Sequence, residues 1–178
     1  YEDLEEYAKA ESVLKEGLAL APRDARLHFR LGVVYDKWNR KEDSIASMRT
    51  VLALEPENAG ALNYLGYTFA DLGRNLDEAE RLVQAAMKHK PDDGYITDSL
   101  GWVYYKQGQY DKAVHYLLEA VRLVPDDPVI LEHLGDAYRK LDDRPNALKY
   151  YRRALEKKDK DSDTADLEQK IRSLGGDP

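Results

Sequence analysis

The chain has 178 residues, of which 43% are hydrophobic and 34% are charged, and its formal net charge is −7 at pH 7. The acidic balance argues against non-specific binding to nucleic acid, because that affinity comes from clustered lysine and arginine side chains. Cysteine is absent, which excludes disulfides, thiolate metal sites and cysteine nucleophiles but is compatible with any compartment, so the localisation stays unassigned.

A Leu-Gly step recurs four times along the chain. Its glycines are Gly32, Gly66, Gly101 and Gly135, which lie 34, 35 and 34 residues apart, and an aromatic residue follows each of them by three positions. A fixed period in this range is typical of solenoids, whose units are too small to bury an apolar face alone and therefore stack on their neighbours. The period favours a short array of helical units over one large globular core.

Residues 1–24 are interpreted as the end of a unit whose beginning is missing. The residues before Pro22 have the same spacing as those before Pro91, and Tyr1 falls where Tyr35 falls in the next unit. We expect this segment to be mostly the second helix of a partial repeat, taken from a longer protein. The N-terminal edge of the array is then open, and self-association through that edge is one possible role.

Four full units follow, at residues 25–58, 59–93, 94–127 and 128–161. In the first unit we expect a leading helix from about Ala25 to Trp38 and a second helix from about Glu42 to Leu54. Pro56 marks the end of the second helix, because proline cannot continue a helix and disfavours the helical conformation in the residue before it.

The turn inside each unit carries a residue that tolerates the left-handed backbone conformation. These residues are Asn39, Gly73, Gly108 and Asp142. The second unit has one extra residue near Asn75, which we interpret as a neutral loop variation in preference to a recognition feature, since insertions in repeat arrays collect in loops.

Residues 162–178 are expected to form a C-terminal capping helix, from about Thr164 to Leu174. Leu167 and Ile171 lie on one apolar face, and charged residues occupy the rest of the surface. A helix with one apolar and one polar face can close the end of a repeat array.

With these residues in view, the pattern resembles the tetratricopeptide repeat, whose leading helix carries W-x₂-L-G-x₂-Y and whose second helix carries small residues before a proline. The matching small residues are Ser44, Ala79, Ala113 and Ala147, and the matching prolines are Pro22, Pro56, Pro91 and Pro125. The tryptophan of the motif is absent, and His28, Leu62, Thr97 and Leu131 stand in its place.

The resemblance covers almost the whole chain and implies an all-α fold, a right-handed α-solenoid of antiparallel helix pairs. It also implies that the leading helices line a concave groove for a peptide of another protein. Two stretches, Asp98–Tyr105 and Asp126–Leu141, are similar to bacterial repeat proteins of this kind, including envelope lipoproteins that act as adaptors.

In such a unit the Leu-Gly-x₂-aromatic set packs on the second helix, so the intervening positions of the leading helix are expected to face the groove. In the first unit these positions are Arg26, Phe29, Arg30 and Val33. In the second unit they also include Ala70. The other positions in the later units are Asn63, Tyr64, Tyr67, Tyr95, Asp98, Ser99, Trp102, Tyr105, Glu132, His133, Asp136 and Arg139, which we call the predicted groove residues.

Two interpretations of these side chains stay open. The rings of Trp102 and Tyr105 are either exposed anchors for a partner, as aromatic residues often are in binding hot spots, or rings that pack on adjacent helices and stiffen the array. The carboxylates among the predicted groove residues either attract a lysine or arginine of the partner or form a solvated polar rim.

The sequence offers little for catalysis or for a cofactor. The four histidines are scattered without metal-ligand spacing, and no glycine-rich phosphate loop or nucleophile motif is present. No apolar run approaches the roughly 18 to 20 residues that cross a bilayer. We therefore expect a non-enzymatic scaffold that binds a protein or peptide partner and takes no cofactor, metal, nucleic acid or membrane span. The alternative is a regulatory or substrate-recruiting arm of a larger enzyme or of a secretion or envelope assembly.

Overall fold

A computed structural model describes residues 2–159 and 162–177 of the chain. These residues form ten α-helices and no β-strand. The helices are α1 Glu2–Leu20, α2 Ala25–Lys37, α3 Lys41–Leu54, α4 Ala59–Asp71, α5 Leu76–His89, α6 Gly94–Lys106, α7 Tyr110–Leu123, α8 Pro128–Lys140, α9 Arg144–Lys157 and α10 Ala165–Ser173. The helix ends expected in the first unit and at the C-terminus lie within one residue of those observed.

The helices pack as pairs. The leading helices α2, α4, α6 and α8 each pack on the helix that follows them, and each second helix packs on the next leading helix. The leading helices α4, α6 and α8 also contact one another in sequence, so they form one continuous face. The predicted fold class, an all-α solenoid of antiparallel helix pairs, is confirmed.

Each leading helix begins at a side-chain cap. The capping residues are Asp24, Asn58, Asp93 and Asp127, and each accepts a hydrogen bond from a backbone N–H two or three residues further on. Such a cap satisfies one of the free N–H groups of the first turn and stabilises a helix by about 1 kcal/mol. The start of every leading helix is therefore fixed by a repeated local signal.

The ends of the helices follow the turn chemistry of the sequence. Positive φ angles occur at the four expected turn residues: Asn39 at 59°, Gly73 at 65°, Gly108 at 77° and Asp142 at 57°. The extra residue of the second unit adds another left-handed position, Asn75, with a φ of 51°. The helices α1, α3, α5 and α7 end two residues before Pro22, Pro56, Pro91 and Pro125, as proline predicts.

The recurring glycine lies where two helices of a pair approach most closely. A Cβ atom on Gly66 would lie 2.6 Å from Cγ2 of Val83, and one on Gly135 would lie 2.5 Å from ring atoms of Tyr151. No real Cβ fits at such distances, so any larger residue would push the helices of a pair apart. The Leu-Gly step is therefore a packing requirement of the array.

The two ends of the array differ. At the N-terminus α1 is one uninterrupted helix that packs on α2, and Leu4, Val13 and Leu20 are exposed. Tyr1, which the repeat pattern aligns with Tyr35, lies outside the described residues. At the C-terminus α10 packs on α9 and buries Leu167 and Ile171 completely. Self-association through the N-terminal edge stays a prediction.

Candidate functional site

The centre of the predicted groove holds a stack of aromatic rings. The indole of Trp102 on α6 lies between the ring of Tyr105, at a centroid distance of 4.6 Å, and the imidazole of His133 on α8, at 4.1 Å. The ring of Tyr67 on α4 adds a fourth member, with its centroid 6.3 Å from that of His133. We call these four residues the ring cluster.

Trp102 is buried inside the ring cluster. Its exposed fraction is 9%, so the expectation that its side chain is an exposed anchor is wrong. Offset stacking on both faces of the indole favours this packing. The other interpretation, that groove rings pack on adjacent helices, describes Trp102, whereas Tyr67 and Tyr105 are half-buried and keep part of their surface accessible.

Asp98 and His133 form a buried pair next to Trp102. The Nδ1 atom of His133 lies 2.9 Å from Oδ1 and 3.1 Å from Oδ2 of Asp98. Burial lowers the pKa of His133, but the carboxylate of Asp98, with smaller effects from two other carboxylates, raises it by more, so the net shift is upward. The protonated imidazole is thus favoured, and the charge of Asp98 is balanced inside the chain.

Lys170 of the C-terminal helix α10 supplies a second internal cation. Its Nζ atom lies 2.6 Å from Oε1 of Glu132 and 3.1 Å from Oδ2 of Asp136, and the Tyr151 hydroxyl donates to Oδ1 of Asp136 at 2.6 Å. Burial lowers the pKa of Lys170, but the hydrogen bond to Glu132 and the charge of Asp136 outweigh it and raise that pKa. The carboxylates expected to attract a partner, or to form a solvated rim, instead hold a lysine of the same chain.

The remaining predicted groove residues differ in accessibility. Ala70, also expected to face the groove, is fully buried. Ser99 is buried, and its hydroxyl donates to the backbone carbonyl oxygen of Tyr95 at 3.0 Å. Tyr95 itself is 57% exposed. Arg139 lines a small cavity between α8 and α10. Asn63 is half-buried, and its Oδ1 atom has no hydrogen-bond partner among the residues that the structure describes.

A cavity of about 220 Å³ lies between α2, the start of α3 and α4, and it is partly open. We call it the Tyr64–Tyr67 pocket. Its lining residues are Asp36, Lys41, Tyr64, Tyr67, Thr68 and Asp71. Two predicted groove residues therefore form the walls of a pocket that is not filled by the rest of the chain.

On one side of the Tyr64–Tyr67 pocket, both carboxylate oxygens of Asp36 have partners within the chain. The Tyr64 hydroxyl donates to Oδ2 of Asp36 at 2.7 Å, and the Nζ atom of Lys41 lies 2.5 Å from Oδ1. The ring of Tyr64 also packs edge-on against Phe29, with 6.0 Å between centroids. Burial first, and then this hydrogen bond to Asp36, raise the pKa of Tyr64, so the wall is a neutral hydroxyl fixed in one orientation.

The other side of the pocket holds Tyr67 and Asp71. Asp71 is exposed, and the part of the chain that the structure describes offers no ion pair to its carboxylate. Burial raises the pKa of Tyr67, and the negative charges of Asp71, Asp98 and Asp36 raise it further. The hydroxyl of Tyr67 is therefore held in its protonated form.

The sequence identified only part of this pocket. Asp36 follows Gly32 by four residues, which is the offset of two predicted groove residues in later units, Tyr105 and Arg139. The same offset applied to the first unit would have found it. Asp71 is the last residue of α4, and Lys41 is the first residue of α3. At such positions the helical period does not predict the direction of a side chain, so the sequence did not identify them.

No membrane-spanning or metal-holding arrangement was found in residues 2–159 and 162–177. No helix among them has the length and apolar character to cross a bilayer. No three of their His, Asp or Glu side chains are grouped so that they could hold a metal ion.

Comparison with known proteins gives one family. The tetratricopeptide repeat family model matches residues 35–94 and 99–162. The TPR repeat-containing protein PA4667 of Pseudomonas aeruginosa is 41% identical over 113 residues, which are 64% of this chain and 19% of that protein. The peroxisomal targeting signal receptor of Kluyveromyces lactis is 29% identical over 96 residues, 54% of this chain and 17% of that receptor. The chain thus spans about a fifth of the length of these relatives.

Solved structures share the arrangement of helices. TTC0263, a thermophilic TPR protein of Thermus thermophilus, is 25% identical, with a TM-score of 0.79 over 96% of this chain and 91% of that one. PilW, a widely conserved type IV pilus biogenesis factor, is 18% identical, with a TM-score of 0.85 over 98% of this chain and 80% of that one. At that identity the likeness to PilW concerns the fold alone.

Proposed function

The chain belongs to the tetratricopeptide repeat family, whose members in general are non-catalytic scaffolds for protein–protein interaction, and we propose that the face of its leading helices binds a peptide segment of a partner protein. The observation that carries this proposal is the Tyr64–Tyr67 pocket. It is open and lined by two aromatic side chains, while most of the neighbouring groove is packed by the chain itself. Aromatic walls with a few polar groups are typical of sites that hold one side chain of a ligand.

A second exposed feature lies on the same row of helices. Tyr95, near the start of α6, is 57% exposed, and Val129, near the start of α8, is 51% exposed. The two residues are 34 positions apart and precede Gly101 and Gly135 by the same six residues. Exposed apolar side chains at equivalent positions of neighbouring repeats offer apolar contact to a segment that crosses both helices.

The proposed binding role does not depend on whether the array acts alone. The chain spans about a fifth of its curated relatives, so it is equally compatible with a recruiting or regulatory arm of a larger enzyme or of an envelope assembly. An affinity on the order of micromolar is expected for one short segment on one such face.

The test is selection of peptides from a random library displayed on phage, followed by calorimetric titration of the selected peptides. Bound peptide should shift backbone amide resonances of α2, α4 and α6 residues that face the groove. Tyr95→Ala should weaken binding by about 1 to 2 kcal/mol, because an exposed aromatic contact is lost without loss of core packing.

Leu118→Ala is the matched control, since Leu118 is 39% exposed on the second helix α7. It should leave the affinity unchanged. Failure to select any binding peptide, or amide shifts confined to the second helices, would contradict the proposed function.

A further inference from the structure

We propose that the Tyr64–Tyr67 pocket binds the side chain of a lysine or arginine residue of the partner segment. This inference rests on the proposed function and names the residue type that the site recognises. It depends on the size of the pocket, on its uncompensated charge, and on the way the chain binds its own lysine two repeats further on.

The size of the pocket suits one side chain. Its volume of about 220 Å³ lies below the roughly 300 to 1,000 Å³ of pockets that hold whole small molecules. The rings of Tyr64 and Tyr67 can cover the methylene groups of a long side chain, whose charged end then reaches the polar lining. A long, partly apolar side chain with a polar end matches both parts of the lining.

The charge of the pocket favours a cation. Asp36 is already paired with Lys41, whereas the carboxylate of Asp71 forms no ion pair with the residues that the structure describes. Among the lining residues, two carboxylates and one ammonium leave a formal charge of minus one, and the nearby Lys106 ammonium is not part of the lining. Asp71 is also the last residue of α4, and the negative end of a helix dipole stabilises cations by about 0.3 to 1 kcal/mol.

One contact within the chain supports the same preference. The Nζ atom of Lys106, from α6, donates to the backbone carbonyl oxygen of Asp71 at 3.1 Å. It also lies 5.3 Å from the ring centroid of Trp102. A lysine of the chain thus already reaches this helix end, and it uses the carbonyl oxygen, not the carboxylate.

The other end of the array shows how the same chemistry holds a lysine. Lys170 lies between the carboxylates of Glu132 and Asp136, and its Nζ atom is 5.7 Å from the ring centroid of Tyr151. Two carboxylates beside a tyrosine ring are also the groups that the Tyr64–Tyr67 pocket presents. At α8 the ligand is part of the chain, and at α4 we infer that it comes from the partner.

Other occupants are less favourable. An acidic side chain would be repelled by Asp71, and an aliphatic one would displace water from that carboxylate without a compensating charge. Lysine and arginine both suit the pocket, because its carboxylate and the faces of its aromatic rings attract either cation.

The test uses small probes, so it does not depend on a selected peptide. N-acetyl-arginine amide and N-acetyl-lysine amide are titrated into the ¹⁵N-labelled chain, with N-acetyl-citrulline amide as the neutral probe of the same shape as arginine. Saturable shifts are expected at the amides of Tyr64, Tyr67, Thr68 and Asp71. The citrulline probe should bind about fivefold more weakly than the arginine probe, as expected for loss of one partly exposed ion pair.

Asp71→Asn should remove this difference between the charged and neutral probes. Asp142→Asn is the matched control, because Asp142 is exposed in the α8–α9 turn and Asn39 shows that asparagine fits the same left-handed position. That control changes the net charge by the same amount and should leave the difference intact.

Equal binding of arginine and citrulline probes, or the same preference in Asp71→Asn as in the wild type, would overturn the inference. If phage-selected peptides still bind the leading-helix face in that case, the proposed function stands without it. If the arginine probe binds as expected but no peptide does, the ligand class of the pocket stands and the proposed function fails.

Discussion

His133 Nδ1 lies 2.9 Å from Oδ1 of Asp98, a residue 35 positions earlier, and both side chains are buried. The pair joins α6 to α8 across the face where a partner was expected to bind. Trp102 stacks on the same imidazole at a centroid distance of 4.1 Å. One histidine therefore holds both the carboxylate of Asp98 and the indole of Trp102 in place. The middle of the leading-helix face is therefore a packed interior, and the binding proposed above concerns its margins.

Protonation of His133 should stabilise the fold. The carboxylate of Asp98, and more weakly the charges of Asp136 and Glu132, raise the pKa of His133 above 6.5 despite burial. A group whose pKa is higher in the folded chain contributes stability that is full below its unfolded pKa and is lost as the pH rises through the folded one. The free energy of unfolding, measured by urea denaturation, should therefore decline from pH 6.5 upward more steeply in the wild type than in His133→Asn.

Fluorescence offers a direct reading of the same proton. Trp102 stacks on His133, and a protonated imidazole quenches a stacked indole more strongly than a neutral one, so emission should rise as the pH passes the pKa of His133. The chain has two tryptophans, and Trp38→Phe removes the other. Adding His133→Asn should abolish the step, and an unchanged step there would show that another group is responsible.

Lys170 should stabilise the C-terminal end of the array. Lys170→Met leaves Glu132 and the buried Asp136 without their cation. The free energy of unfolding should fall by about 2 kcal/mol, less than the roughly 3 to 5 kcal/mol for a fully buried pair, because the Lys170 side chain keeps 17% exposure. Urea denaturation monitored by circular dichroism measures this change.

Two further variants separate charge from packing at this site. Adding Glu132→Gln to Lys170→Met should restore part of the loss, because one unpaired carboxylate is removed. Lys157→Met breaks the pair with Asp126, whose side chains are 40% and 67% exposed, and should cost no more than about 1 kcal/mol. Equal losses in Lys157→Met and Lys170→Met would contradict a special role for Lys170.

The sequence predicted the repeating framework well because local signals specify it. Turn residues such as Gly108 and stops such as Pro125 act within a few residues of their own position. The packing glycines recur because every pair of helices needs the same close approach. These constraints can be read at a fixed period without knowing how the units stack.

The accessibility of the predicted groove residues could not be predicted in the same way. Spacing assigned Trp102 and Asp98 to the face of the leading helices, and both contact His133 of the next leading helix. Whether that face is open depends on which side chains neighbouring repeats place opposite them. His133 belongs to the unit after that of Trp102 and Asp98, and Lys170 belongs to the C-terminal helix beyond it. The contacts of both residues depend on how the repeats stack. Asp71 is the opposite case, a residue that lines the open pocket although spacing did not assign it to the groove. It lies at a helix end, where the sequence carries no periodic signal.

The close approach at Gly135 should make alanine destabilising there. A Cβ atom would lie 2.5 Å from Cδ1 of Tyr151, and that ring is held by its hydrogen bond to Asp136. Gly135→Ala should lower the free energy of unfolding by about 1 to 3 kcal/mol, as overpacking usually does. Gly17→Ala is the control, because a Cβ atom there would lie 3.2 Å from Cδ1 of Leu27, the end of a flexible side chain. A helix favours alanine over glycine by about 1 kcal/mol, so this variant should not lower the free energy of unfolding.

Glu11 on α1 should lose its charge only in strong acid. Hydrogen bonds from Lys15 and then Tyr35 lower its pKa from 4.5 to about 2. A carboxyl whose pKa is lowered by folding contributes stability above its unfolded pKa and loses it as the pH falls through the folded one, here from 4.5 towards about 2. Titration of the Glu11 side-chain carboxyl ¹³C resonance should show the low pKa, and Lys15→Met should raise it.

Lys9→Met is the matched control, since Lys9 pairs with Glu5 on the exposed surface and should leave the titration of Glu11 unchanged. A Glu11 pKa near 4.5 in the wild type would mean that the contact between α1 and α2 at Tyr35 does not persist in solution.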